Sequence, residues 1–441
     1  MPLSFRGGVH PDDKKADTRK KAIEVLPAPG QVVLPVSMHI GAPAAPVVSV
    51  GEHVKMGQVV AETAGAVSAR VHATVSGTVT AIEPRPHPNG TNVMSIVIEN
   101  DYNDELFEGI KPVDRFHSID AQELADIAEA AGIVGLGGAM FPTHVKISSS
   151  VGKVDTLIIN GAECEPYITS DNRQMLECGE EIINGVTLLM KALKLDTAYI
   201  AIESNKRSAI EKIRRLIAKK DGLKLKVLRT KYPQGAEKQL IKSVCGREVP
   251  PGGLPSAVGV LNINVGTVIA LSRAVETGMP LLTKVVTVSG SAVANPKNLL
   301  ARIGTPLREL FSAAGGFKDN PYKVLMGGPM MGISQYSLDV PVIKGTNAIL
   351  AFCEKEDAYS EQQVCIRCGK CVGACPMNLM PVYLHMYGNR GMLDECEKLN
   401  VTDCIECGCC SYICPGRLHL VQSFKNTKQR LAALKKKKGA R

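Results

Sequence analysis

The chain has 441 residues, 45% of them hydrophobic, with a formal net charge of +9, 14 cysteines and no tryptophan. That length accommodates two to four domains with cores of their own, and no run of about 18 apolar residues offers itself as a membrane span. Much of the positive charge lies between Lys425 and Arg441, but aromatics are only 4%, so stacking surfaces for nucleic acid are scarce and no nucleic-acid partner is expected.

Residues 1–25 are polar and charged, and the opening Met1-Pro-Leu-Ser-Phe lacks the apolar stretch of a signal peptide. From Leu26 to about Asn100, short alternating runs broken by glycine and proline predict strands of a small β-barrel or sandwich. The phrases from Val50 to Gln58 and from Ser76 to Val79 resemble biotinyl/lipoyl-type domains. The modifiable lysine of those carriers is missing, which favours a structural or interaction module.

Asp120 reads as the N-cap of a helix, with Glu123 completing a capping box. A glycine-rich loop from Gly132 to Lys146 follows. Beyond it, strand Asp155 to Asn160 leads into the acidic loop Gly161-Ala-Glu163-Cys164-Glu165-Pro166. A helix from about Asp171 to Leu193 then places Met175, Cys178, Ile182, Val186, Leu189 and Leu193 on one face. Strand Ala198 to Ile202, helix Lys206 to Lys220 and strand Leu223 to Leu228 continue the alternation, which predicts a mainly parallel sheet. Ligands of such sheets sit at the carboxyl ends of the strands, where the acidic loop and the stretch Lys231 to Glu237 fall. From about Pro280 to Gly345 the pattern turns to β with one helix, opened by Thr305 as N-cap and Pro306 as first position.

The strongest signal lies near the end. Cys365, Cys368, Cys371 and Cys375-Pro376, then Cys404, Cys407, Cys410 and Cys414-Pro415, each obey C-x2-C-x2-C-x3-C-P. Three closely spaced thiolates wrap three corners of a cubane, and the fourth ligates the other cluster. A first quartet of Cys365, Cys368, Cys371 and Cys414, and a second of Cys404, Cys407, Cys410 and Cys375, are therefore expected to hold two [4Fe-4S] clusters. Paired four-cysteine zinc sites explain the third x2 step and the x3-C-P ending poorly. Cys164 and Cys178 read as structural, and Cys353, Cys396 and Cys409 lie outside the ligand spacing. Eight cysteines in cluster spacing point to a reducing compartment rather than to disulfides.

Backbone N–H groups of a glycine loop can cradle a phosphate, and a chain of one-electron centres that meets NADH needs a flavin to split electron pairs. Gly135-Leu-Gly-Gly-Ala-Met-Phe-Pro-Thr-His-Val-Lys146 resembles the FMN loop of the NADH-oxidising flavoprotein of respiratory complex I. Asn160 to Pro166 is similar to that flavoprotein's acidic loop, Tyr232 to Glu237 to its Tyr…Gly-Glu-Glu stretch, and Asn264-Val-Gly-Thr267 to a later FMN-contacting segment. Over all but the basic tail the chain resembles the RnfC family, peripheral subunits of Rnf ion-translocating ferredoxin:NAD+ oxidoreductases. Phe5-Arg-Gly-Gly-Val-His-Pro11, His39-Ile-Gly-Ala-Pro43 and the domain order carry that likeness.

The resemblance implies that Gly135, Gly137, Gly138, Phe141 and Lys146 form the flavin loop. It places Asn160, Glu163, Tyr232, Gly235 and Asn264 around the FMN, with Glu165 and Glu237 meeting NAD(H) as the catalytic pair. Departures occur at Met140, where complex I has glycine, and at Val249 and Gly252, near where it has lysine and phenylalanine. Integral-membrane subunits of the complex and, through another subunit, ferredoxin are the implied partners, at the cytoplasmic face of the membrane. A soluble cobalamin reductase of related build and a flavin-free electron relay are the rival readings.

The expected architecture is multidomain α/β: an N-terminal segment (1–25), a β barrel-sandwich (26–105) and a Rossmann-like FMN/NAD(H) domain (115–278). A β-grasp-like module (279–346), a two-cluster ferredoxin-like domain (350–424) and a solvated basic tail (425–441) complete it.

Overall fold

The computed structural model describes residues 3–113, 118–355 and 361–439. The expected boundary at 115, the first two residues of the N-terminal segment and the last two of the tail lie outside them. Among the described residues no helix is long and apolar enough to cross a membrane.

The barrel-sandwich is built from two antiparallel sheets that share one apolar core. One orders its strands Gln31–Pro35, Asn92–Asn100, Gly77–Pro86 and His53–Val54; the other orders Ala45–Pro46, Val59–Glu62 and Val71–His72. Alternation sends Val32, Leu34, Val54, Val60, Val71, Val79, Ile96 and Ile98 inward, all fully buried. At φ +151°, Gly77 occupies a place where a Cβ would run into the Glu99 carbonyl, so only glycine opens that strand.

The second region holds a four-stranded sheet in the order Leu223–Leu228, Ala198–Glu203, Thr156–Gly161 and Val260–Asn264, every pair parallel. Helix Ala121–Ala130 has the predicted N-cap, with the Asp120 carboxylate accepting from Glu123 N at 2.9 Å, the first half of the expected capping box. The expected single helix from Asp171 to Leu193 is two, Ser170–Glu177 and Gly179–Ala192, broken at Cys178. Gly179 explains the break: a Cβ there would lie 2.6 Å from Leu216 of the neighbouring helix Arg207–Ile217, and glycine weakens a helix by about 1 kcal/mol against alanine. The predicted inner face survives the break, with Met175, Ile182, Val186 and Leu189 fully buried.

The β-grasp-like module is a six-stranded mixed sheet ordered Ile23–Val25, Lys297–Arg302, Thr283–Ser289, Ala348–Phe352, Lys323–Met326 and Ile333–Ser334. Two of its strands lie outside the expected limits of 279–346. Ile23–Val25 comes from the N-terminal segment, and Ala348–Phe352, buried throughout, runs past the expected start of the cluster region at 350. Helix Leu307–Ala313 starts one residue later than expected, with Pro306 rather than Thr305 as N-cap. Thr305 and Pro306 are drawn into pairing with Pro341 and Val342, which keeps Pro306 extended at ψ 146°.

The cysteine region has its own core of Leu379, Leu384, Leu393, Val401, Leu420, Phe424 and Leu431. Helices Pro381–Asn389 and Leu393–Lys398 fill the insert between the motifs. The frayed tail expected from residue 425 is instead helix Leu420–Gly439, 20 residues long. Phe424 and Leu431 bury one stripe of that helix, and Lys428 donates to Cys404 O at 2.6 Å and Glu406 at 2.8 Å. A lysine-rich composition thus conceals an amphipathic face.

Candidate functional site

The glycine loop closes on itself through Gly135 N to Phe141 O at 2.8 Å and Met140 N to Gly135 O at 3.1 Å. Leu136 is pinned from both sides: its N–H donates to Thr267 Oγ1 at 2.8 Å, and its carbonyl accepts from the buried Lys284 ammonium at 2.9 Å. Gly137 stands against the side chain of Asn264, where a Cβ would come within 3.3 Å. Gly137, Gly138 and Ala139 are exposed, and their N–H groups donate to no partner among the described residues. Asn264 is the N-cap of helix Val265–Thr277, its Oδ1 accepting from Gly266 N at 2.9 Å. Three consecutive unspent N–H groups beside a helix N-terminus make a fitting cradle for the phosphate of FMN.

Other expected residues gather at the same strand ends. Lys146 Nζ lies 2.7 Å from both Glu237 Oε1 and Asn262 O, linking the loop's short helix to the sheet. Asn160 Nδ2 donates to Gly235 O at 2.9 Å, and Asn264 Nδ2 donates to Asp171 Oδ2 at 2.7 Å. The Glu163 carboxylate accepts from Asp171 N at 2.6 Å and Asn172 N at 3.3 Å, at the head of helix Ser170–Glu177. Burial pushes its carboxyl up to about 7 against the pull of Lys15 and Lys206. Those two lysines also hold the acidic loop by its backbone. Lys15 Nζ donates to Glu163 O at 3.0 Å and Glu165 O at 2.9 Å, and Lys206 Nζ to Ala162 O at 2.5 Å. Gly235 N donates to the Cys164 thiol at 3.3 Å, a structural use of that cysteine.

Two expected residues are employed elsewhere. The Glu165 carboxylate accepts from Met330 N at 3.1 Å and Met331 N at 2.9 Å, tying the acidic loop to the turn 327–332 of the β-grasp-like module. Tyr232 is 1% exposed, and its hydroxyl donates to Cys407 O at 2.7 Å, so it faces the cysteine region. Lys15, Asp171, Lys206, Lys284 and Asn347 are part of the site without having been singled out for it, and Thr267 was expected only as the end of a flavin-contacting stretch. Asn347 brings a buried, unpartnered Oδ1 to the loop mouth, with its amide nitrogen 3.9 Å from a Cβ built on Gly138. Lys284 carried a legible signal: a lysine at a buried position of an apolar strand needs a polar destination.

Cys375, Cys404, Cys407 and Cys410 line one small cavity together with Cys409, Met377, Leu379 and Phe424. Burial, reinforced by the neighbouring cysteines, pushes the Cys404 thiol up to about 11 and Cys410 up to about 12. Cys404 and Cys410 are thus disfavoured as thiolates unless a cationic centre joins them, whereas a hydrogen bond from Cys409 holds the Cys407 thiol down, and both shifts fit cluster ligation. In the first quartet Cys365 and Cys368 are exposed, while Cys371 and Cys414 are half-buried, and burial pushes the Cys371 thiol up. Cys409 donates instead to Tyr232 O at 3.8 Å, and Cys396 to Leu384 O at 3.7 Å.

Family models match along the chain in this order: an RnfC barrel sandwich hybrid domain over residues 3–103, a Nuo51 FMN-binding domain over 128–273, an SLBB domain over 285–334 and a 4Fe-4S dicluster domain over 357–415. The chain is 47% identical over 407 residues to the C component of the proton-translocating ferredoxin:NAD(+) oxidoreductase complex of Clostridium ljungdahlii, covering 91% of this chain and 88% of that one. It is 45% identical to the C component of the Na(+)-translocating ferredoxin:NAD(+) oxidoreductase complex of Acetobacterium woodii, covering 98% of each. The corresponding component of the ion-translocating oxidoreductase complex of Rhodobacter capsulatus is 43% identical, over 99% of this chain and 85% of its own. With a flavin-type loop, a barrel-sandwich and paired cysteine motifs in one chain, and relatives alike over nearly its whole length, the chain belongs to the RnfC family of ion-translocating oxidoreductase complexes.

Proposed function

We propose that this chain is the electron-transfer subunit of a membrane-bound ion-translocating ferredoxin:NAD+ oxidoreductase, working with FMN, NAD(H) and two [4Fe-4S] clusters. The observation that carries the reading is the joint between its two chemical regions. The span 232–237 gives Gly235 and Glu237 to the glycine-loop pocket and the Tyr232 hydroxyl to Cys407, 2.7 Å away. Electron pairs and single electrons therefore meet across a few residues of one chain. Bound FMN would supply the conversion between the electron pair of a nicotinamide hydride and single electrons.

The chain's own groups prepare that exchange. The unspent N–H groups of Gly137, Gly138 and Ala139 hold the FMN phosphate, with Gly135 and Phe141 closing the loop behind them. Lys146, held by Glu237 and Asn262 O, fixes the pocket's edge, and Glu237 is the carboxylate that meets the nicotinamide nucleotide. Asn160, Glu163, Gly235 and Asn264 line the remaining walls, while Glu165 seals the acidic loop against the turn 327–332. The eight motif cysteines hold the clusters in the crossed quartets. The chain sits peripherally at the cytoplasmic face of the membrane. Integral-membrane partners carry the ion, and ferredoxin exchanges electrons through another subunit.

The test is anaerobic. Protein reconstituted with iron, sulfide and FMN is mixed with NADH and its visible spectrum followed. Flavin and then cluster absorbance bleach, and Glu237→Gln slows the flavin phase. Absence of bleaching in protein that dithionite reduces normally would remove the NADH site from this chain.

A further inference from the structure

Tyr232 has the main-chain and side-chain partners of a joint. Its backbone pairs with the N-terminal segment in both directions, Val9 N to Tyr232 O at 2.8 Å and Tyr232 N to Val9 O at 2.9 Å. The same segment reaches the second quartet from the other side: Gly8 N donates to Ala374 O at 2.8 Å, and Gly7 lies so close to Cys375 that a Cβ would stand 2.7 Å from its carbonyl oxygen. The ring packs with Val9, Ala374, Cys407 and Cys409 in one small cluster. Its hydroxyl, buried with it, donates to Cys407 O at 2.7 Å.

We infer that Tyr232 is a positioning residue for the second cluster, whose hydroxyl raises that cluster's reduction potential and ties it to the flavin pocket. The inference rests on the reading that the second quartet holds a [4Fe-4S] cluster. Reduction adds one negative charge to a centre enclosed by low-dielectric packing, so nearby dipoles weigh heavily. A hydroxyl hydrogen aimed at the Cys407 carbonyl offsets the negative end of a peptide belonging to a ligand. It favours the reduced cluster more than the oxidised one. In the first quartet, by contrast, Cys365 and Cys368 are exposed.

The experiment is a redox titration, followed by electron paramagnetic resonance, of the full chain reconstituted with iron, sulfide and FMN. Tyr232→Phe keeps the ring and removes the donor. One of the two cluster waves moves to lower potential, with roughly tenfold less reduced cluster at the same poise, about 59 mV for one electron. The other wave, the iron content and the bound FMN stay as in the parent. Replacing Tyr232 by 3-fluorotyrosine strengthens the donor and moves the same wave upward, which keeps the test decisive should the phenylalanine variant lose its cofactors. The idea is overturned if neither replacement moves a wave in loaded protein, or if both waves move together as general loosening would require. A parent protein that takes up fewer than two clusters would instead defeat the underlying reading, before any variant is compared.

Discussion

The two cysteine quartets share one spacing and live in opposite surroundings. Cys365 and Cys368 of the first are exposed, whereas Cys407 and Cys410 of the second are buried among Leu379, Phe424, Tyr232 and the N-terminal segment. Spacing sets which sulfurs reach one cluster, but the packing around them sets dielectric, solvent access and hydrogen bonding, and those set a cluster's potential and durability. Cys375 also leaves its own run to share a cavity with Cys404, Cys407, Cys409 and Cys410, the arrangement that crossed quartets need. One motif used twice therefore yields two unlike sites.

The largest separation between them comes from removing one ligand from each. Cys407→Ser loses about half of the iron and also lowers the melting temperature, since metal binding at a packed site is folding free energy. Cys365→Ser loses a similar share of iron with little change in melting. Equal melting losses would erase the distinction. Next comes Phe424→Ala, which opens the wall of the second cavity and costs on the order of 3–5 kcal/mol locally. Under an iron chelator, the parent loses the exposed cluster first; this variant loses both at similar rates.

A perturbation remote from both quartets gives the control. Lys344 is 1% exposed, donates to Arg70 O and Gly132 O, and burial pushes its ammonium down to about 7. Its folded affinity for a proton is lower than its unfolded affinity, so the unfolded state binds more protons above that value and stability rises with pH. Between about pH 7 and 9 the parent gains roughly 2 kcal/mol in urea unfolding relative to Lys344→Met, and neither cluster wave responds. The smallest effect belongs to Lys428→Met, which deletes the donor to Cys404 O and Glu406. A loss of about 1 kcal/mol is expected, seen as faster chelation of the second cluster alone.

Local chemistry was readable along the chain. The Asp120 cap, the parallel βα alternation, the barrel strands and the cysteine spacing are short-range properties, each written within a few residues. Composition misled where a tertiary partner intervened. The lysines from 425 onward suggested a solvated tail because the buried stripe of Phe424 and Leu431 is thin. The helix break at Cys178 depended on Leu216, which is distant in sequence.

Sequence by itself determined the kinds of groups available: eight thiols at cluster spacing, a glycine loop without side chains to block an anion, and carboxylates at strand ends. Tertiary structure alone decided their employment. Lys284, Lys15 and Lys206 reach the pocket from elements far along the chain, Glu165 spends its oxygens on Met330 and Met331, and Tyr232 turns to Cys407. Burial is the physical reason. A buried polar group must find a partner or bear its full desolvation cost, and which partner lies within reach is a property of the packed chain rather than of any stretch of it.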